Sequence, residues 1–143
     1  MVLKNYIRII ILSVTFISLS CLFSCEELMI INCSECSINE PTEVYIEINL
    51  ENTASAIVIT VYAGKLEENI VLSQRVTFNQ NAYEKVPLNR EITVTAEYKI
   101  DGNTCIAVNS VSPHVVYEEN QCSDPCYYVF DRKVDLRLKN VIR

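Results

Sequence analysis

The sequence predicts an all-β protein: an antiparallel β-sandwich, immunoglobulin-like or similar, of about seven to eight short strands. Three observations lead there. Apolar and polar residues alternate with a period of two in several stretches after residue 42, as half-buried strands require. Turn residues separate those stretches at regular spacing. No segment behind the N-terminal leader carries a convincing helical period.

The first strand runs from Glu43 to Glu51, with Val44, Ile46, Ile48 and Leu50 on one face and Tyr45, Glu47, Asn49 and Glu51 on the other. Ala56 to Tyr62 follows, rich in β-branched residues (Ile57, Val58, Ile59, Thr60, Val61) that favour a pleated backbone. Gly64, Lys65, Glu67, Glu68 and Asn69 make a loop. Ile70 to Phe78 then places Ile70, Leu72, Val76 and Phe78 on one side and Ser73, Arg75 and Thr77 opposite. Asn79-Gln80-Asn81 turns the chain, since Asn tolerates positive φ. Ala82 to Leu88 is a short strand whose Pro87 has no N–H for a ladder, which assigns it to an edge or a bulge.

Glu91 to Ser110 is the clearest hairpin: Ile92, Val94, Ala96, Tyr98 and Ile100 share a face, and Asp101-Gly102 marks the turn. A two-residue loop would pair Tyr98 with Cys105 and set Ile106 opposite Glu97. A three-residue loop, Asp101 to Asn103 with Asn103 left-handed, sets Tyr98 against Ile106 and Ala96 against Val108. The three-residue loop is the expectation, and it sends Cys105 to the more exposed face. Val115 to Tyr117 is a further short strand, and Glu118 to Pro125 an acidic, cysteine-bearing loop. Tyr127 to Phe130 and Val134 to Leu138 form a last hairpin across Asp131-Arg132-Lys133, with Val134, Leu136 and Leu138 inward and Asp135, Arg137 and Lys139 in water.

Ahead of the strands, Lys4 and Arg8 precede an uncharged, mostly apolar run from Ile9 to Phe23, the layout of a secretory signal peptide. The run is shorter than the roughly 20 apolar residues of a membrane span, and Glu26-Glu27 follow it closely. Leu22-Phe23-Ser24-Cys25 resembles a lipobox, the bacterial site where a cysteine thiol is lipidated and the chain is then cut in front of it. Cys21 competes, behind Ser18-Leu19-Ser20, but its outer position holds a polar Ser18 where Cys25 has Leu22. The expected organisation is therefore a lipoprotein signal peptide over 1–24, lipidated Cys25 with a polar tether over 25–42, and the sandwich domain over 43–143. A single acyl chain anchors only marginally, whereas a diacylated or triacylated cysteine anchors stably. The membrane is thus the first expected partner, contacted through the lipid on Cys25. The expected location is the bacterial envelope, at the outer membrane, facing the periplasm or the cell surface.

The chain of 143 residues carries a formal charge of −6, and its leader holds two basic residues and no acidic one, so the mature part is more acidic still. That argues against nucleic acid, which needs a basic face. With no tryptophan and eight tyrosines, any carbohydrate platform would be built from tyrosine. An envelope protein or a glycan is the expected partner class.

Beyond Cys21 and Cys25 stand Cys33, Cys36, Cys105, Cys122 and Cys126. Cys33/Cys36 and Cys122/Cys126 are two close pairs near opposite ends of the mature chain. Four thiolates at such spacing suit zinc, but an exported chain oxidises its thiols. Pairing inside Cys33-Ser34-Glu35-Cys36 would close a small strained ring, whereas pairing across the chain restrains a long loop. Disulfides joining the two pairs are therefore expected, with zinc on the same four cysteines as the alternative. Two of the three ways of pairing them cross the chain, and the sequence leaves both open. A redox role for Cys33 and Cys36 would need a strand-to-helix setting that the tether lacks.

No catalytic constellation emerges, and no cofactor is expected. His114 has no nucleophilic serine or cysteine motif around it, and Gly64 and Gly102 are too few for a phosphate-cradling loop. Glu67-Glu68 and Glu118-Glu119 are candidates for glycoside chemistry or calcium, but they lack ligand spacing and read as solvated loop charges.

The lipobox with Cys25-Glu26-Glu27, the Cys-x-x-Cys behind it, Thr93-Val94-Thr95-Ala96-Glu97-Tyr98, Ala107-Val108, Cys122…Pro125-Cys126-Tyr127 and Val134-Asp135-Leu136-Arg137-Leu138 together resemble a group of small, uncharacterised lipoproteins of Bacteroidetes-type bacteria. The resemblance implies lipid anchoring and carries over no activity. In such bacteria acidic residues directly behind the lipidated cysteine accompany surface display; here Glu26 and Glu27 are interrupted by Leu28. The function expected from the whole chain is a lipid-anchored binding or structural module of the envelope. A zinc- or calcium-binding envelope protein is the alternative, and an enzyme comes third.

Overall fold

Period-two alternation gives each strand one apolar face, and two sheets bury those faces against each other. The computed structural model describes residues 31–138; the expected signal peptide, Cys21, Cys25, Glu26-Glu27 and Lys139 lie outside the described residues. Within 31–138 the strands are β1 (Glu43–Asn49), β2 (Ile57–Ala63), β3 (Val71–Thr77), β4 (Asn81–Pro87), β5 (Ile92–Ile100), β6 (Asn103–Val111), β7 (His114–Glu118), β8 (Cys126–Phe130) and β9 (Lys133–Asp135). Three strands in the order β4-β1-β9 form one sheet and four in the order β3-β2-β5-β6 the other, while β7 and β8 pair as a separate ribbon. The fold is an all-β sandwich. Its nine described strands exceed the seven to eight expected.

The core lies between the two sheets. Ile46, Ile48, Ala82, Val86, Val134 and Leu136 face Ile57, Ile59, Val61, Ile92, Val94, Ala96 and Tyr98, all of them buried. The inward faces read in β1 and β5 are borne out at Ile46, Ile48, Ile92, Val94, Ala96 and Tyr98, while Thr93, on the opposite face of β5, is buried as well. Pro87 ends β4, an edge strand, where its missing N–H interrupts no ladder.

Three expectations are corrected. The β5–β6 hairpin closes through a two-residue loop, pairing Tyr98 with Cys105, Glu97 with Ile106 and Ile100 with Asn103. Asp101 and Gly102 both have positive φ, at 50° and 80°. That is the mirror-image turn whose twist matches the flanking strands, and it dominates over the alignment of apolar side chains. Cys105 consequently packs beside the core, while Ile106 and Val108 face solvent at 61 % and 51 % exposure.

The last hairpin does not exist as such. β8 pairs antiparallel with β7, and β9 lies parallel to β1, with Ile48 opposite Val134. The inward positions Val134 and Leu136 are nonetheless as expected, each 1 % exposed. Chain crossing from the ribbon into the first sheet makes β1–β9 a parallel pair in an otherwise antiparallel fold.

On β3, the side carrying Ile70, Leu72, Val76 and Phe78 is the exposed one. Arg75 instead points to the neighbouring sheet edge, where it pairs with Glu84, and Ser73 Oγ donates to the same carboxylate at 3.0 Å. A bulge between Val61 and Tyr62 shifts the pairing of β2 with this edge. A charged side chain on the edge and a bulge are ordinary protections of an edge strand against pairing with a foreign strand.

Candidate functional site

The tether from Ile31 to Thr42 is tied to the sandwich rather than extended away from it. Ile31 is buried. Cys33–Glu35 form one short 3₁₀ turn, capped by the Asn32 side chain, which accepts from the Ser34 N–H at 3.2 Å. Ser37 and Tyr127 exchange backbone hydrogen bonds of 2.9 and 2.8 Å, adding a rung to the free edge of β8. This folding brings both cysteine pairs to one place.

The disulfides are Cys33–Cys122 and Cys36–Cys126, with Cα–Cα distances of 5.6 and 5.4 Å. They cross the chain as expected, and the structure selects one of the two crossed connectivities. Cys36 Sγ lies 3.8 Å from Cys122 Sγ, so the two bridges touch. The sulfurs of Cys36, Cys122 and Cys126 all lie within 4.8 Å of one another, a gathering that the zinc alternative would also need. Bonded to each other, however, these sulfurs offer no thiolate, and the thiolate is the metal-binding form. Cys105 is free and distant in role, half-buried on β6.

The other sequence candidates serve the scaffold. His114 stacks on Phe130 with centroids 5.6 Å apart and approaches Asp131 Oδ2 at 3.4 Å. Glu68 accepts from the Lys65 N–H at 3.4 Å, and Glu118 accepts from the Asn120 and Gln121 N–H groups at 2.8 and 3.1 Å. Their carboxylates cap local turns.

A feature that residue-by-residue reading missed sits next to the staple. Tyr45 faces Lys85 and Glu47 faces Tyr83 across the β1–β4 pair, so all four stand on the outer face. Tyr45 and Tyr83 are diagonal neighbours there, a separation of about 7–8 Å that long side chains span. They are 62 % and 56 % exposed. With Glu35, Glu47, Arg132 and Lys133 they line an open cleft of about 400 Å³. Arg132 is ion-paired with Glu35, and Lys133 Nζ lies 3.5 Å from Glu47. The hydrogen bond and charge of Arg132 hold the Glu35 carboxyl below the usual carboxylate range. Arg132 also lies over the Tyr128 ring, 5.8 Å from its centroid, and its carbonyl accepts from the Glu47 N–H at 2.7 Å. The signal available in the sequence was the outward phase of Tyr45 and Glu47. Comparison of the chain with protein-family models, with curated proteins and with solved structures finds no match.

Proposed function

We propose that this protein is a lipid-anchored module of the bacterial envelope that binds a partner there rather than catalysing a reaction. The observation that carries the reading is the staple. A chain that begins with an export signal and then locks its tether to the domain by Cys33–Cys122 and Cys36–Cys126 suits an oxidising compartment. Among the described residues no helix is long and apolar enough to cross a membrane. The proposed attachment is through the acyl chains of Cys25. Cys25 stands eight residues before Cys33. Whatever path it takes, such a stretch spans at most about 28 Å. The stapled end of the domain then lies near the bilayer, at the outer membrane in this reading. Zinc on the four cysteines is the second reading, favoured only by the convergence of three of their sulfurs, those of Cys36, Cys122 and Cys126.

Fatty-acid labelling tests the anchor. Cys25→Ala abolishes labelling and membrane retention, because the thiol is the attachment point, whereas Cys21→Ala leaves both intact. Labelling that persists in Cys25→Ala and vanishes in Cys21→Ala contradicts the assignment.

A further inference from the structure

We propose that the cleft on the outer face of the β4-β1-β9 sheet is a binding site for a neutral oligosaccharide. The proposal rests on the reading of the protein as a binding module and names the ligand class. A pyranose ring presents C–H groups on its faces and hydroxyls around its rim. Proteins meet the first with aromatic faces and the second with planar or charged polar side chains that hydrogen-bond the hydroxyls. The cleft holds both kinds. Tyr45 and Tyr83 stand diagonally on adjacent strands with more than half of each side chain uncovered. Around them stand Glu35 and Glu47, with carboxylate acceptors, and Arg132 and Lys133, with N–H donors beyond those used in their ion pairs.

Charge decides in favour of a neutral sugar. Both cations of the lining are paired with its two carboxylates, Arg132 with Glu35 and Lys133 with Glu47, so the cleft has no excess of either sign. A uronate or a phosphate would bring an unmatched charge to it. A protein partner with an aliphatic contact centre would sit on the other sheet, where the Val76, Ile106 and Val108 side chains are exposed. The cleft volume of about 400 Å³ falls in the range of small-molecule sites.

The site is also held in place before any ligand arrives. Tyr45, Glu47, Tyr83 and Lys133 sit on strands, which position side chains better than loops do. Glu35, between Cys33 and Cys36, is kept at the rim by the two disulfides and by Arg132. The staple thus completes the cleft as well as bracing the fold.

Isothermal titration of the purified, disulfide-bonded mature protein in mild detergent tests the assignment. The probes are short neutral oligosaccharides of glucose, galactose, mannose and N-acetylglucosamine, beside uronate-containing ones. At least one neutral series binds, the uronates bind more weakly, and Tyr45→Ala or Tyr83→Ala each weakens binding about tenfold, as loss of one stacking contact does. Tyr45→Phe retains binding, since the ring face remains, and Lys99→Ala, exposed on β5 of the other sheet, leaves affinity unchanged. Circular dichroism of each variant confirms that the sandwich persists. Absence of neutral-sugar binding by the wild type, or affinity indifferent to both alanine variants, overturns the proposal. An envelope pull-down separates the two levels of the argument. Sugar failure with capture of a protein that depends on Tyr45 and Tyr83 removes the glycan and keeps the binding module, whereas failure of both removes both.

Discussion

Tyr98 is fully buried, yet its hydroxyl is satisfied twice: it donates to the Leu136 carbonyl at 2.8 Å and accepts from the Glu51 N–H at 3.2 Å. One side chain on β5 thereby ties the opposite sheet at the end of β1 and just past β9. Tyr98→Phe keeps the ring and strands two backbone groups, a loss of about 1–3 kcal/mol to be read from denaturant midpoints. Burial also raises the Tyr98 pKa above its ordinary 10.0, with the Glu51 hydrogen bond acting in the opposite sense. Because the folded state keeps the proton longer than the unfolded state, the stability tied to this group is complete below about pH 10 and falls as pH rises toward the folded-state pKa. Urea titrations on the alkaline side therefore show a decline that is shallower in Tyr98→Phe. An identical alkaline decline in both proteins contradicts this role. The inward phase of Tyr98 was legible from alternation. Its two hydrogen-bond partners were not, because Glu51 and Leu136 reach it only through the packing of one sheet on the other.

At the scale of elements, β9 and the residue after it carry the seam. Val134 and Leu136 are buried, and the Leu136 N–H donates to the Asn49 carbonyl at 2.8 Å, continuing the pairing with β1. Leu136→Ala destabilises the protein by about 2–5 kcal/mol, the range for a large apolar side chain deleted from a core. Arg137→Ala, an exposed side chain paired with Asp135, stays within about 0.5 kcal/mol. Equal losses in denaturant titrations contradict the orientation of this segment. Alternation in 134–138 reports which face turns inward, and that expectation holds. It is silent about the neighbour, because an inward Leu136 fits an antiparallel β8 as well as a parallel β1. The β5–β6 turn carries a similar lesson. Aligning Tyr98 with Ile106 assumed that every apolar residue seeks the core, whereas the backbone preference of Asp101-Gly102 set the register and left Ile106 outside.

For the whole molecule, the cysteines were the most legible part of the site: two close pairs far apart in the chain were expected to close on each other, and they do so across 89 and 90 residues. A single loop of such length restrains the unfolded chain by about 4–5 kcal/mol, and two bridges over nearly the same span contribute less than twice that. The cleft was illegible for the opposite reason. Glu35, Tyr45, Tyr83 and Arg132 come from four separate stretches, and only the topology brings them together. The proposed anchor at Cys25 and the staple behind it are both reached by one measurement: non-reducing peptide mapping by mass spectrometry of protein purified from membranes. Cleavage after Glu35, Lys85 and Glu118 and before Asp124 places the four half-cystines, and Cys105, on separate peptides. The predicted result is an acylated N-terminal Cys25 peptide, Cys33 linked to Cys122, Cys36 linked to Cys126, and a free Cys105. An unmodified Cys25 with bridges inside each pair, or four free thiols released together with one zinc ion per chain, would contradict it.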